Sequence, residues 1–398
     1  MVLLRRISTR RLLALAAALL ILAAATTAIA LAATGGGPTP PPRPLDRAVH
    51  DALAAPRPEG VTARVHFTDN LIGESVLEGS DPILGGASGR LWATADGRVR
   101  LELQADVSKG SAGDFELVVD GNRFMAYDPG TETTYRGTLP EGDHDAQGEA
   151  GRDRPPSLSE VQGGIQEVME HATVGDAVPS DVAGRPAYTV RVSPKADGGL
   201  VGGAELAWDA ENGIPLRAAV YAKGESSPVL ELAVSDISFG PVSESVFEVS
   251  PPPGAKTVDI QPPTGGHGEN GSSAPVSGLE AVQANLSFPL SAPPTLAGRA
   301  RNEVRQVSSG EDAGALLTYG RGLDGIAVLE VPASNDGSGE GRYGGGLQLP
   351  SISIEGAGAA HELETPLGTL IRFRRAGVEY TVVGSVTAAV AREAAQGL

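Results

Sequence analysis

The sequence predicts a mainly β fold of the α+β class, built on an antiparallel sheet with one apolar face. Apolar and polar residues alternate over many short runs, which is typical of strands that bury one side. The 53 glycines and 30 prolines among 398 residues indicate many turns. Such a sheet must cover its apolar face with a second layer, a helix or a ligand.

The region 208–258 shows this pattern most clearly. An Asn-Gly pair at 212–213 predicts a hairpin turn. The runs 216–221 and 229–234 that follow it each place their larger apolar residues on one face. Three prolines at 251–253 end the sheet, because proline cannot donate a hydrogen bond to a strand ladder.

The same alternation recurs earlier in the chain, over the runs 61–68, 98–104, 115–119 and 188–192. Together with turn signals between them, these runs predict about nine or ten strands. The sequence therefore predicts one large β domain in the first two-thirds of the chain.

Two helices are predicted to cover this sheet. The first runs over 45–55 with small and apolar residues on one face. The second begins at a capping box, Ser157-Leu-Ser-Glu160, and Gly163-Gly164 weakens it by about 1 kcal/mol per glycine. It is either a helix packed on the sheet or a lid that moves to admit a ligand. The residues expected to face the sheet are Leu158, Ile165 and Met169.

The order of short motifs resembles the LolA/RseB-like family of lipoprotein-handling domains. A strand, an Asp-Gly turn, a strand ending in Tyr-Asp-Pro and a return strand follow one another over 115–135. Four further motifs follow in order over 212–255: Asn-Gly-Ile-Pro-Leu-Arg, Ile-Ser-Phe-Gly, Val-Phe and Pro-Gly-Ala. The resemblance covers about 45–258 and implies a curved, half-open β-barrel covered by one or two helices. RseB has a second, smaller domain, so the resemblance fits both a carrier and a regulatory protein.

The first 33 residues predict a signal peptide or an N-terminal membrane anchor. Four arginines precede an apolar run at 12–33, which is long enough to span a membrane. The positive flank leaves the N-terminus in the cytoplasm and the rest in the extracytoplasmic cell envelope, either anchored or secreted after cleavage. Composition then predicts a Pro/Gly linker at 34–44, a LolA-like β domain at 45–258, a second linker at 259–275 and a small C-terminal α+β domain at 276–398.

The C-terminal domain is predicted from the same strand pattern and a closing helix over 386–396. Gly377 is expected in a tight turn between the last two strands. The segment 334–346, rich in glycine and serine, is expected to be a loop. The predicted strands are 302–307, 315–319, 326–331, 369–375 and 378–383.

Charge and composition exclude several classes of function. The formal net charge is −18, which argues against nucleic-acid binding, because that binding depends on a basic surface. The absence of cysteine excludes disulfides, thiolate catalysis and cysteine zinc sites. The six histidines form no pair with the spacing of a metal-binding motif. The sequence also contains no recognisable catalytic motif that combines a nucleophile, a base and an orienting group. We therefore expect no enzyme, no metal and no cofactor.

Three functions stay open. The first is a carrier or sorting protein that binds lipid or lipoprotein acyl chains in an apolar cleft, although an uncleaved anchor at 12–33 would prevent diffusion between membranes. The second is an RseB-like regulatory protein that senses lipoproteins and controls a membrane anti-sigma factor. The third is an anchored envelope domain with no ligand. The candidate cleft residues are Val65, Phe67, Leu101, Leu103, Phe115, Leu117, Tyr188, Val190, Leu206, Trp208, Leu216, Val220, Leu230 and Leu232.

Overall fold

The computed structural model describes most of the chain outside its N-terminus and several connecting segments. The predicted signal peptide or anchor lies outside the described residues, as do the segment 334–346 and most of the second linker. The described residues are 37–71, 86–105, 114–129, 132–138, 156–195, 199–260, 276–309, 312–333, 349–356 and 358–398.

A 13-stranded sheet forms the first domain. Its strands are β1 (Gly60–Asp69), β2 (Ala87–Thr94), β3 (Val99–Ala105), β4 (Asp114–Asp120), β5 (Arg123–Asp128), β6 (Thr133–Thr138), β7 (Ala172–Val174), β8 (Val178–Val182), β9 (Arg185–Pro194), β10 (Val201–Asp209), β11 (Pro215–Ala222), β12 (Pro228–Phe239) and β13 (Lys256–Ile260). Their order is β13-β6-β5-β4-β3-β2-β1-β12-β11-β10-β9-β7, and β8 also pairs with β9. Only β13 runs parallel to its neighbour, β6, among these described pairs.

The predicted fold class is confirmed, but the predicted number of strands was too low. The strands that sequence analysis missed are β2, β7, β8 and β13. β7 has three residues, too few for a period to be seen, and β2 contains Ser-Gly-Arg where an apolar alternation would be expected. β13 follows the three prolines that were taken to end the sheet, and it extends two residues beyond the predicted domain boundary at 258.

The sheet curls toward its apolar face, which we call the inner face. Val61, Ala63, Val65 and Phe67 alternate along β1 and are all buried on this face. Val182 and Ala183, at the turn between β8 and β9, pack against the cluster that contains them. The Arg185 guanidinium of β9 also lies 5.1 Å from the ring centroid of Phe239 on β12, although β10 and β11 separate these strands, as expected for a strongly curled, half-open barrel.

Helix α1 (Leu45–Ala54) covers one end of the inner face. Its Ala48 is buried in a cluster with Tyr188, Val190 and Trp208. The chain before this helix also lies on the domain, because the Tyr188 hydroxyl donates a hydrogen bond of 2.7 Å to the carbonyl oxygen of Pro41. The described part of the predicted first linker therefore packs against β9.

Helix α2 (Leu158–His171) begins at the predicted capping box. The Glu160 amide donates to Ser157 Oγ at 3.3 Å, and the Ser157 amide donates to Glu160 Oε2 at 2.6 Å. Val161 is the buried residue of this helix, and Leu158 and Ile165 are half-buried. The expectation that Met169 faces the sheet is wrong: its side chain is 40 % exposed, because α2 lies against α1 and β7 instead of flat on the sheet.

The C-terminal domain is an 8-stranded antiparallel sheet in the order β14-β15-β16-β17-β21-β20-β19-β18. The predicted strands are all present, and the sequence missed three others: the two-residue β14, the four-residue β18, and β19. The bounds are β14 (Thr295–Leu296), β15 (Arg299–Ser309), β16 (Asp312–Tyr319), β17 (Ile326–Pro332), β18 (Ser351–Ile354), β19 (Gly358–Thr365), β20 (Gly368–Arg375), β21 (Val378–Gly384), α3 (Leu279–Gln283) and α4 (Ala388–Gln396).

The core of this domain lies between the sheet and α4. Ala388, Ala391, Ala394 and Ala395 are buried along one side of the helix, so it lies close to β20, β21 and β18. The predicted tight turn is present: Ala376 and Gly377 both have positive φ, 51° and 78°, as a type I′ hairpin requires. The two domains also meet, since the Leu200 amide donates to the Ser385 carbonyl oxygen at 3.1 Å.

Candidate functional site

The candidate site is the part of the inner face formed by β9 to β12, which we call the open face. The register places four side chains in one row across the sheet: Val190 on β9, Leu206 on β10, Ala218 on β11 and Leu232 on β12. Val220 and Leu230, which pair with each other, belong to the next row. Since side chains two apart on a strand point to the same side, these residues form one apolar surface.

The open face is not sealed. Leu206 is 38 % exposed, although its neighbours in the row, Val190 and Ala218, are only 7 % and 4 % exposed. Val220, Leu230 and Leu232 are half-buried around it. A leucine at the centre of a large sheet normally lies in the core. The described helices therefore leave apolar surface uncovered between α1 and β12.

One end of the open face is closed by an aromatic pair under α1. The rings of Tyr188 and Trp208 lie 6.1 Å apart at an angle of 41°. Trp208 Nε1 is buried and has no hydrogen-bond partner among the residues that the structure describes. Buried indole N–H groups usually find a partner, whereas this donor is unsatisfied within the described residues at the closed end of the open face.

The opposite face of the same strands carries a network of charges that fixes which residues face inward. Glu205 Oε2 accepts hydrogen bonds of 2.8 Å from both Arg217 Nη1 and the Tyr221 hydroxyl. Glu205 Oε1 accepts one of 2.9 Å from Arg191, and Arg217 also binds Glu231. Because successive side chains alternate, holding Glu205 on the outer face holds Leu206 on the inner face.

The network also shifts the pKa values of Glu205 and Arg217. Burial alone would raise the pKa of Glu205, but the hydrogen bonds from Arg217 and Tyr221 outweigh burial and lower it. Burial likewise disfavours the charged form of Arg217, and its bonds to Tyr221 and Glu205 still raise its pKa above the usual value. Both groups are therefore charged at neutral pH, and the network holds throughout the physiological range.

The fourteen predicted cleft residues fall into three groups. Eight are core residues with little exposed surface, five are half-buried, and Leu206 is exposed. The eight are Val65, Phe67, Leu101, Leu103, Tyr188, Val190, Trp208 and Leu216. The half-buried five are Phe115, Leu117, Val220, Leu230 and Leu232.

The structure brings only part of this set together. Val190, Leu206, Val220, Leu230 and Leu232 share the open face, whereas Phe115 and Leu117 lie on β4, on the far side of β1. Trp208 and Leu230 were expected on neighbouring strands, and this is wrong, because β11 lies between β10 and β12. The sequence shows hairpins but not how far apart their strands lie in a curled sheet.

Sequence analysis missed a second apolar surface on the C-terminal domain. Ala327, Val383, Leu370 and Leu363 form a row across β17, β21, β20 and β19, on the face that does not contact α4. Val383 is 43 % exposed. Together with Leu71 of the first domain, these residues line a cleft of about 740 Å³. The adjacent apolar pairs Leu370-Ile371 and Val382-Val383 were a signal that both faces of these strands are apolar.

Two features are absent from the described residues, a cluster able to bind a metal and a helix able to span a membrane. Within the described ranges, no three His, Asp or Glu side chains come close enough to bind a metal ion. No helix there is both long and apolar enough to cross a membrane.

The chain is similar to several solved structures, each at low sequence identity. No protein-family profile and no curated protein matches the sequence. MucB in complex with MucA(peri) is 16 % identical, with a TM-score of 0.43, over 88 % of this chain and 96 % of that chain. The Pseudomonas aeruginosa MucA/MucB complex gives 16 % identity and a TM-score of 0.42 over 88 % of this chain and 95 % of that chain.

A LolA superfamily protein from Nitrosomonas europaea is 9 % identical, with a TM-score of 0.20, over 52 % of this chain and 98 % of that chain. The solved structures similar to this chain thus include MucB and LolA-superfamily proteins, as the resemblance in sequence predicted.

Proposed function

We propose that this chain is an extracytoplasmic LolA-like protein that binds acyl chains of a lipid or lipoprotein on the open face. The observation that carries the proposal is the exposure of Leu206 at the centre of an apolar sheet face. Its neighbours Val220, Leu230 and Leu232 extend the apolar surface on the same side. No ionisable side chain of the outer network projects into it, because alternation directs those side chains away.

Acyl chains suit this surface for a physical reason. Each methylene group removed from water contributes about 0.8 kcal/mol, so a chain lying along the row from Leu206 to Leu232 gains affinity without polar contacts. Trp208 Nε1, buried beside the open face, offers one donor for an ester or amide oxygen of the bound molecule. This combination of a long apolar contact and one polar group is typical of small-molecule sites.

The test is a charge placed on the open face. Leu206→Arg should fold normally, because residue 206 is partly exposed, but the guanidinium would lie where the acyl chain binds. Tryptophan fluorescence of the wild type should shift as fatty acid or a lipopeptide is added, and the variant should not respond. Val383→Arg, which changes an equally exposed residue of the other domain, is the matched control and should respond like the wild type.

Two results would contradict the proposal. One is a wild-type protein that shows no response to fatty acid, phospholipid or lipopeptide. The other is a Leu206→Arg variant that binds as tightly as the wild type. Trp92, on the outer face opposite Arg100, contributes a constant background to the signal.

A regulatory role is the second candidate, and the cleft between the domains favours it. The cleft is apolar at Val383 and Leu370, and it borders the contact between Leu200 and Ser385. A partner segment bound there would contact both domains and respond to a change in their arrangement. Val383→Arg should then lose a membrane protein partner but keep the lipid, whereas Leu206→Arg should lose the lipid first. Cross-linking of each variant in envelope preparations distinguishes the two roles.

A further inference from the structure

Two arginines face each other on the outer surface of the first sheet. Arg64 on β1 pairs directly with Arg90 on β2, and both side chains are exposed. Neither guanidinium makes a hydrogen bond or an ion pair with any residue in the described ranges. Like charges directly opposite each other destabilise a sheet, so this pair needs a negative group to offset it.

Acidic residues lie opposite both arginines, but neither forms an ion pair with them within the described residues. Glu102, the partner of Arg90 on β3, is bound by Arg100, which also contacts Glu116 at 2.7 Å. Asp236 lies opposite Arg64 on β12 but forms no ion pair within the described residues. The two guanidinium groups therefore remain available to an external anion.

The same arginines line a cleft of about 490 Å³. A β-bulge between Arg64 and Val65 leaves Ser235 as an extra residue of β12 at this point, and the sheet bends around it. His66 and Ser88 lie on the same face, with His66 Nδ1 and Ser88 Oγ 3.0 Å apart. Gln104 completes the polar wall. The cleft thus offers two cations, unpaired within the described residues, and several polar groups on one side of the sheet, and the one carboxylate in its lining, Glu102, is bound by Arg100.

We infer that this cleft binds a phosphate group. Guanidinium groups match the oxygens of phosphate in a bidentate arrangement. The Ser88 hydroxyl beside His66 can donate to a further oxygen, whereas the Ser235 hydroxyl donates to the Arg64 carbonyl oxygen and the Gln104 amide to Asp114. The site lies on the face opposite the open face, so it is independent of the acyl-chain proposal. Its ligand is either a free phosphate ester or the headgroup of an anionic lipid at a membrane surface.

The experiment is calorimetric titration of the full chain with inorganic phosphate, and sedimentation with vesicles of phosphatidylglycerol or of phosphatidylcholine. We expect saturable binding of phosphate by the wild type, and at least about a tenfold loss of affinity in Arg64→Gln/Arg90→Gln. Arg57→Gln/Arg123→Gln makes the same change in net charge at exposed arginines outside the cleft and should bind like the wild type. Leu206→Arg should also bind phosphate normally.

The vesicle arm identifies the source of the phosphate. Binding to phosphatidylglycerol vesicles alone, lost in Arg64→Gln/Arg90→Gln, indicates a lipid headgroup, whereas binding of inorganic phosphate indicates a free ester. The melting temperature of the double variant without ligand should equal or exceed that of the wild type, because repulsion is removed. Any of three results would overturn the inference. The double variant could bind as tightly as the wild type, the control variant could lose as much affinity as the double variant, or the wild type could bind neither ligand.

Discussion

The two sheets of this protein bury their apolar faces to different extents. In the C-terminal domain, Leu317, Val328, Ile371 and Val382 have no exposed surface, and α4 closes the core with buried alanines. In the first domain, α1 and α2 each contribute one buried residue, and Leu206 stays exposed on the inner face.

The difference teaches that a helix seals a sheet only if it can approach closely along its length. α4 presents alanine at four positions toward the sheet, so its backbone lies near the strands. α2 contains Gly163 and Gly164 and directs Val168 and Met169 to solvent. The large sheet therefore leaves apolar surface exposed, whereas the small sheet buries the apolar face that α4 covers.

The largest expected effect separates the sealed core from the open face. Leu317→Ala removes a fully buried side chain and should lower the free energy of unfolding of the C-terminal domain by about 2–5 kcal/mol. Leu206→Ala should cost less than about 1 kcal/mol, because the leucine is partly solvated already. Urea denaturation of both variants measures the difference. Equal losses would mean that the open face is an ordinary core.

A comparable effect is expected from Glu330 in the sealed core. This carboxyl has no exposed surface, and burial raises its pKa to about 7 although the Ser291 amide donates to it at 3.0 Å. Its pKa in the unfolded chain is close to the ordinary 4.5. The folded state therefore binds the proton more tightly, and the stability contributed is fully present below pH 4.5 and lost as the pH rises through 7, by about 3 kcal/mol in total.

Glu330→Gln should remove this dependence, because an amide does not ionise. Thermal denaturation between pH 4.5 and 8 should show the wild-type C-terminal domain losing stability with rising pH and the variant staying level, so that the variant is the more stable at pH 8. Parallel curves for the two proteins would show that Glu330 does not titrate in this range. The first domain serves as an internal control.

The smallest expected effect concerns α2. A Cβ added at Gly163 or Gly164 would meet no atom within 4 Å, so each Gly→Ala change should stabilise the helix by about 0.5–1 kcal/mol. Hydrogen exchange of α2 amides should slow, and acyl-chain release should slow with it if the helix is a lid. Gly89→Ala is the contrasting variant, because its Cβ would lie 1.8 Å from the Glu102 carbonyl oxygen and the sheet would be disturbed. Unchanged release with slower exchange would favour a fixed helix.

The sequence predicted local features better than long-range ones. The capping box at Ser157 and the turn at Gly377 depend on neighbouring residues, and both are present as expected. The alternation at Leu216 to Val220 predicted the strand β11, but not that Ala219 and Tyr221, placed on its polar face, would be buried as well. Whether Phe67 would be buried and Leu206 exposed could not be predicted, because both sit in apolar strand positions and only the curl of the sheet and the position of α1 distinguish them.

Which charged residues lie together on the outer face could not be predicted for the same reason. Arg64 and Arg90 are 26 residues apart in sequence, and only the β1–β2 register places them opposite each other. The network of Glu205, Arg217 and Glu231 likewise joins three strands. Charges at alternate positions indicated an outer face, but not which charges would be paired.

Native mass spectrometry of the purified chain shows whether the open face holds an acyl chain. The wild type should carry an additional mass of lipid that is lost on extraction with organic solvent. Val383→Arg should carry the same mass, and Leu206→Arg should be folded, by circular dichroism, but free of it. Two results would contradict binding at the open face. The wild type could carry no lipid and take up none when lipid is supplied, or the Leu206→Arg variant could retain the lipid.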